Sequence, residues 1–317
     1  MEEIKLFTPA TIANVSCGFD VLGLCLETVG DEMVIRKTSE KGVRITKIVG
    51  QDLPLETKRN VAGVAVLTLL ENIDIDCGFE IEIYKNIKPG SGIGSSAASA
   101  AGAVYGVNKL LGEPFSNEAL VLFAMEGEKL ASGTAHADNV APALLGGFTL
   151  IRSYNPLDVI KINAPKELYA TVIHPQIEVK TSDARAVLKK KVTLKETVTQ
   201  LGNLGGLISG LYTEDYHLIG RSLHDEIVEP SRSILIPEFN NVIAAAKNAG
   251  ALGGGISGSG PSIFALSKGK ETAEAVGKTM AFVYQKLGID FDIHVSKINT
   301  NGIKIVSRTN KTTSHRT

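Results

Sequence analysis

The chain is poor in cysteine: Cys17, Cys25 and Cys77 are the only thiols in 317 residues, and no two form a CxxC pair. An odd, sparse set of this kind offers neither a disulfide framework nor a thiolate zinc site, and it suits a reducing compartment. No apolar run approaches the ~18 residues that a spanning helix needs. The opening MEEIKLFTPA carries acids where an export signal carries basic residues, so a cytoplasmic protein is expected. An excess of one charge is missing too: 33 Lys and Arg against 34 Asp and Glu leave a net charge of −1. Neither a nucleic-acid nor a membrane partner is expected from that balance.

What the chain does have is glycine, 32 residues against 11 prolines, and the glycines cluster. Clustered glycine means backbone brought close to something. Hydrophobic residues at 44% are enough for sizeable cores, which excludes disorder as the main state. At roughly 150 residues per domain the length predicts two domains.

Phe79, Ile81 and Ile83 alternate with Glu80, Glu82 and Tyr84, so 79–85 reads as a half-buried strand. A helix of small residues follows from Ala97 to about Leu111, and Gly112 and Pro114 stop it. Ser116 caps a second helix that runs to about Ala131. Further strands are expected over 148–151, 169–174, 262–266 and 291–297. Helices are expected from about Ser182 and over 194–212, 214–228, 238–248 and 271–287. This mixture predicts an α+β fold. The Tyr154-Asn155-Pro156 turn and the stretch at Pro165-Lys166-Glu167 are the places for a domain crossing, which gives domains 1–165 and 166–306. The polar end, 307–317, reads as a frayed tail.

Between the 79–85 strand and the small-residue helix stands Pro89-Gly90-Ser91-Gly92-Ile93-Gly94-Ser95-Ser96-Ala97-Ala98-Ser99. Strand, glycine loop, helix is an anion-binding order, because a helix N-terminus offers unpaired N–H groups and about half a positive charge. No Lys follows Gly94, so this is not a Walker loop, and Ser95 stands where a dinucleotide fingerprint needs glycine. A serine hydroxyl here can also ligate Mg²⁺, a cation that prefers oxygen. The alternative is a plain strand-to-helix turn with capping serines. Gly253-x-Gly255-x-x-Gly258 does satisfy the dinucleotide spacing, but a helix precedes it and a strand follows, the reverse of the required context.

Three stretches together carry a resemblance: Pro89–Ala98, the N-terminal run from Pro9 through Asn14, Cys17 and Asp20 to Gly23, and Gly255-Ile256-Ser257-Gly258-Ser259-Gly260-Pro261-Ser262. In this order, and spanning almost the whole chain, they resemble the three motifs of the GHMP small-molecule kinases. The N-terminal run and His136-Ala137-Asp138-Asn139-Val140-Ala141-Pro142-Ala143 resemble the members of that family that phosphorylate homoserine. The resemblance implies an N-terminal domain like domain 2 of ribosomal protein S5, a ferredoxin-like C-terminal domain, and a site between them that takes ATP, Mg²⁺ and L-homoserine. A homodimer is a further expectation.

Asn14 and Asp20 are polar groups in an apolar stretch and need partners, whether a local turn and cap or a ligand. The resemblance places the amino-acid substrate there. It also implies Ser96 and Glu128 as metal ligands, with Glu126 the rival carboxylate. Thr181 is a helix N-cap with Arg185 on the same face, and Arg232 follows a Pro stop. Resemblance makes these residues, with His136, the substrate clamp, since guanidinium pairs carboxylate in bidentate fashion. Asp138, Asn139 and Arg185 are the expected catalytic residues. No Lys lies between Thr8 and Asp20, and Asn139 occupies the place of the aspartate base of related mevalonate kinases. An amide accepts no proton at neutral pH, so catalysis is expected to rest on positioning and charge neutralisation. Cys17 is read as a buried small residue rather than a nucleophile.

Overall fold

The computed structural model describes residues 2–179 and 181–310. In chain order the first half contains Glu2–Ala13 (β1), Leu22–Thr38 (β2), Gly42–Val49 (β3), Val61–Leu70 (α1), Gly78–Tyr84 (β4), Ser95–Leu110 (α2), Asn117–Ser132 (α3), Val140–Leu145 (α4), Phe148–Tyr154 (β5) and Leu157–Ile162 (β6). The second half contains Leu168–Pro175 (β7), Thr181–Ala186 (α5), Leu194–Thr213 (α6), Tyr216–Ser222 (α7), Glu229–Arg232 (α8), Phe239–Asn248 (α9), Gly253–Ile256 (β8), Ile263–Lys268 (β9), Lys270–Leu287 (α10), Phe291–Lys297 (β10) and Lys304–Asn310 (β11). Among the described residues no helix is long and apolar enough to cross a membrane.

Seven strands form the first sheet in the order β11-β1-β2-β4-β3, with β5 pairing β2 and β6. The second sheet is β10-β7-β9-β8. One core lies between the first sheet and α1 to α4, and another between the second sheet and α9 and α10. A third joins the halves: Ala10, Ile12 and Leu24 from the first sheet meet Leu168, Ala170 and Phe264 from the second. Each large aliphatic side chain buried there contributes about 1.5–3 kcal/mol of transfer free energy.

The small residues of α2 have a packing reason. A Cβ at Gly102 would meet Thr8 Cγ2 at 2.3 Å, and one at Gly106 would meet Ile35 Cδ1 at 2.4 Å. The helix therefore lies directly on β1 and β2, and that contact fixes where its N-terminus points.

Three expectations are corrected. The Tyr154-Asn155-Pro156 turn is the β5–β6 hairpin inside the first sheet and not a domain crossing. Residues 307–310 are no tail: β11 pairs antiparallel with β1 from Phe7↔Lys304 to Glu2↔Asn310. An edge strand facing water needs few apolar residues, which is why its composition misleads. The remainder of that tail, 311–317, lies outside the described residues. The helix expected over 214–228 covers only Tyr216–Ser222, because the Asp225 carboxylate takes the amides of Ile227, Val228 and Glu229 and folds the chain into a turn.

Candidate active site

β1 ends in a left-handed turn. Asn14, Val15 and Ser16 have φ of 70°, 43° and 63°, and Asp20 has φ of 58°. Each non-glycine residue in this region costs about 1–2 kcal/mol, most for a β-branched one, so the surroundings must hold it. They do. The Asn14 side chain donates to Gly258 O at 2.8 Å and accepts from Asp20 N at 3.0 Å. Gln200 Nε2 donates to Cys17 O at 2.9 Å. Asn14 thus lines the cavity with its amide already engaged at both ends, and it shapes the turn that presents Asp20.

The glycine loop after β4 alternates direction, with Gly90, Gly92 and Gly94 at φ of 75°, 83° and 70°. Gly94 is also required sterically, since a Cβ there would meet Thr11 Oγ1 at 2.1 Å. The second glycine cluster is the β8–β9 hairpin, and it docks on the first. Ser257 donates to Gly92 O at 2.7 Å, and Ser262 to Ser91 O at 2.6 Å. A Cβ at Gly92 would stand 2.6 Å from Gly260 O, so only glycine allows this contact.

Beneath the loop lies a buried ion pair. Lys85 Nζ bonds the Asp31 carboxylate, Ser95 O at 2.8 Å and Ser99 Oγ at 3.1 Å. Asp31 Oδ1 accepts from Asn86 N at 2.7 Å and Ile87 N at 2.8 Å. Burial drives both groups toward neutrality, raising the carboxyl and lowering the ammonium, while their mutual attraction opposes it. The pair clamps the base of the loop to the start of α2.

These parts surround a cavity of about 400 Å³, in the range of small-molecule sites. Pro89, Gly90, Gly92, Gly94, Ser95, Ser96 and Ser99 line one wall. The side chains of Ile93, Ala97 and Ala98 point into the cores instead, and Ser91 is buried against the second hairpin. The side chains of these four residues support the loop from behind, which leaves their backbone to face a ligand. The Ser95 hydroxyl is likewise turned inward, onto Ile87 O at 2.9 Å. Leu53, Pro54 and Val61 extend this wall at its apolar end.

Asp20, His136, Asp138, Asn139, Arg185 and Arg232 line the same cavity. Arg185 Nη2 lies 2.6 Å from His136 Nε2 and 3.7 Å from Asp20 Oδ1, while its Nε is buried without a partner. Arg232 is held by Nε donating to Ala184 O at 2.9 Å and Nη1 to Gly258 O at 3.1 Å, with Phe19 under its guanidinium. Burial and the neighbouring Arg185 lower its pKa. Two cations facing one space, Arg232 buried and Arg185 half-buried, make a receptor for an anion. The Thr181 side chain lies outside the described residues.

Thr11 Oγ1 donates to Asn139 Oδ1 at 2.7 Å. That bond fixes the amide and leaves its NH₂ to donate into the cavity. Asp138 beside it is pushed up to about 7, first by burial and then by the charges of Asp20 and Glu128. Glu128, from α3, accepts a hydrogen bond from Ser96 and is raised to about 7 by burial. A cation at this point would restore its ionisation. Among the described residues no three of His, Cys, Asp and Glu gather as a metal cage. A divalent ion here would therefore take most of its oxygens from phosphate and water, as Mg²⁺ does. The residues fit such an ion.

Several contributors escape sequence reading: Lys85 and Asp31, Thr11, Gln200 and Asp225, and Tyr154. The Tyr154 hydroxyl donates to Asp20 O at 2.9 Å and accepts from Ala137 N at 3.4 Å, stitching the two acceptor-side segments together. Only Lys85 has a local signal, a lysine ending an amphipathic strand just before the glycine loop.

Comparison with known proteins agrees with this arrangement. The family pattern described as GHMP kinases N terminal domain matches residues 60–147, and that described as GHMP kinases C terminal matches 194–286. The homoserine kinase of Chlorobaculum tepidum is 49% identical over 323 residues, which cover 98% of this chain and 100% of that protein. The homoserine kinase of Xylella fastidiosa is 37% identical over 306 residues, covering 96% and 94%. The crystal structure of homoserine kinase from Cytophaga hutchinsonii superposes with a TM-score of 0.92 at 53% identity, covering 96% of this chain and 97% of that one.

Proposed function

The chain belongs to the GHMP kinase family, and on that premise we propose that it transfers the γ-phosphoryl group of ATP to the side-chain hydroxyl of L-homoserine. It is an ATP-dependent small-molecule kinase of two domains, one like domain 2 of ribosomal protein S5 and one ferredoxin-like. The product, O-phospho-L-homoserine, lies on the route to threonine. A cytoplasmic setting, where ATP is made, suits the reaction.

The observation that carries the reading is the pairing of Arg185 and Arg232 with Asp20 in the cavity that the glycine loop also lines. An α-amino acid presents a carboxylate and an ammonium together, and this wall offers two cations and an anion. The unpartnered Arg185 Nε supplies a donor for that carboxylate. Asp20 takes the ammonium, and Asn14 and His136 hold Asp20 and Arg185 in place.

On the nucleotide side, the loop amides and the α2 N-terminus face the phosphates. Leu53, Pro54 and Val61 offer an apolar seat for the base. Ser96 and Glu128 would hold Mg²⁺, which neutralises charge on the transferring phosphoryl group. Asn139, oriented by Thr11, donates to the acceptor hydroxyl or the phosphoryl oxygen. A loose transition state asks for little proton removal before transfer. Asp138, poised near neutrality, takes up the proton late. Catalysis then rests on placing two reactants and neutralising charge.

An initial-rate assay of ADP release with L-homoserine and with mevalonate tests this. Turnover with homoserine and none with mevalonate is expected; the reverse would overturn the acceptor assignment while leaving the kinase assignment intact.

A further inference from the structure

Gln200 heads the inward face of α6, in line with Leu204, Leu207 and Leu211 at the four-three spacing that keeps residues on one side of a helix. Leu207 and Leu211 are fully buried in the core that joins the two halves, and Gln200 is 9% exposed. An apolar side chain at this place would continue that core. A buried amide costs free energy unless its groups are paired.

Its partners belong to two segments far apart in sequence. Nε2 donates to Cys17 O at 2.9 Å and to Asp225 Oδ1 at 3.0 Å, and Oε1 accepts from Glu226 N at 2.9 Å. Cys17 lies in the turn that runs from Asn14 to Asp20, 183 positions from Gln200. Asp225 and Glu226 open the turn that leads through α8 to Arg232. One side chain thus grips both the segment that carries the anion of the acceptor site and the segment that carries one of its cations. A second tie joins the same two segments: Gly258 O accepts from Asn14 Nδ2 at 2.8 Å and from Arg232 Nη1 at 3.1 Å. Gly258 lines the cavity and Gln200 does not, so the two ties lie at different depths. A single shared point would let the segments pivot about it, whereas two points fix their separation and their angle.

We propose that Gln200 is a positioning residue that sets the distance between Asp20 and Arg232, and so matches the site to acceptors whose ammonium and carboxylate sit on one carbon. The inference rests on the reading of this cavity as a homoserine site. Gln200 touches no substrate and acts only through the two segments it holds. Without its amide the segments keep the tie at Gly258 O and can turn about it, and the two charged groups then no longer meet a single α-carbon together.

Initial rates with ATP and L-homoserine on the full-length wild type, Gln200→Met, Arg232→Leu and the double variant test the proposal. Gln200→Met keeps the length of the side chain and removes its hydrogen bonds. It should lower kcat/KM for homoserine at least tenfold and leave the ATP KM within twofold of wild type. In the Arg232→Leu background the same substitution should cost less than threefold more, because the group it positions is already gone. Gln200→Asn keeps the amide but is one methylene too short to span both partners; it should show the same pattern, and it carries the test if the methionine variant does not fold. An unchanged homoserine kcat/KM in both Gln200 variants would overturn the proposal. So would a rise in the ATP KM equal to the loss on homoserine, or an equal loss in both backgrounds, either of which marks a general packing role. A wild type that turns over no homoserine would overturn the reading of the site itself, and the inference with it.

Discussion

Arg185 Nη2 and His136 Nε2 are 2.6 Å apart, on segments 49 residues apart in sequence. A guanidinium has no acceptor, so the ring nitrogen must accept, and His136 is neutral with its proton on Nδ1, facing Asp20 Oδ1 at 3.8 Å. Burial is the first cause of its lowered pKa, and Arg185 adds to it. The neutral ring therefore persists to lower pH than in free histidine. Stability from this contact is present at high pH and is lost as pH falls through the depressed value.

His136→Leu removes the acceptor and should raise the homoserine KM roughly ten- to hundred-fold, because a hydrogen bond to a charged group is worth about 1.5–3 kcal/mol. His136→Gln keeps an acceptor and should raise it far less. In wild type the same KM should climb on the acid side of neutrality. Steady-state kinetics from pH 5 to 8 check both; equal KM values for the two variants would remove His136 from this role.

Asp225 accepts from Gln200, Ile227, Val228 and Glu229, at 2.9 to 3.0 Å, and so shapes the turn that carries Arg232. Asp225→Ala should raise the homoserine KM about tenfold through misplacement of Arg232, with the ATP KM unchanged. A parallel rise in both constants would show a general loss of structure instead.

Lys85 and Asp31 answer to a different measure. Removing one partner leaves a buried charge alone, so Asp31→Ala should cost about 3–5 kcal/mol in urea unfolding. The double variant Asp31→Leu/Lys85→Met, which removes both charges, should lie closer to wild type. If single and double variants unfold alike, the pair is not the clamp described.

Glu229 has Oε2 buried without a partner and a carboxyl raised to about 7, chiefly by burial and then by Asp225. A raised carboxyl stabilises the fold below the unfolded-state pKa, and that stability drains away as pH rises through about 7. Glu229→Gln should therefore gain melting temperature over wild type as pH goes from 5 to 8. Parallel melting curves across that range would contradict it.

Much of the site is readable in the chain because its chemistry is local. The glycine loop, the His136–Asn139 cluster and the Arg232 turn each announce themselves within a dozen residues. The supports do not. Lys85 finds Asp31 across 54 positions and Asn14 finds Gly258 across 244, and no spacing rule reaches that far. Tyr154 is hidden for a related reason: its Asn-Pro neighbour marks a turn, but not whether the turn ends a domain or a hairpin. β11 misleads because an edge strand pairs through backbone alone, leaving its side chains free to be polar.

The division of the cavity into a phosphate wall and an acceptor wall is tested most directly by initial rates with ATP and L-homoserine both varied, for Ser96→Ala and Arg232→Leu. Ser96→Ala should lower kcat and leave the homoserine KM near wild type. Arg232→Leu should raise the homoserine KM roughly ten- to hundred-fold and leave the ATP KM unchanged. If Ser96→Ala instead weakens homoserine, or Arg232→Leu weakens ATP, the two walls have been assigned to the wrong ligands.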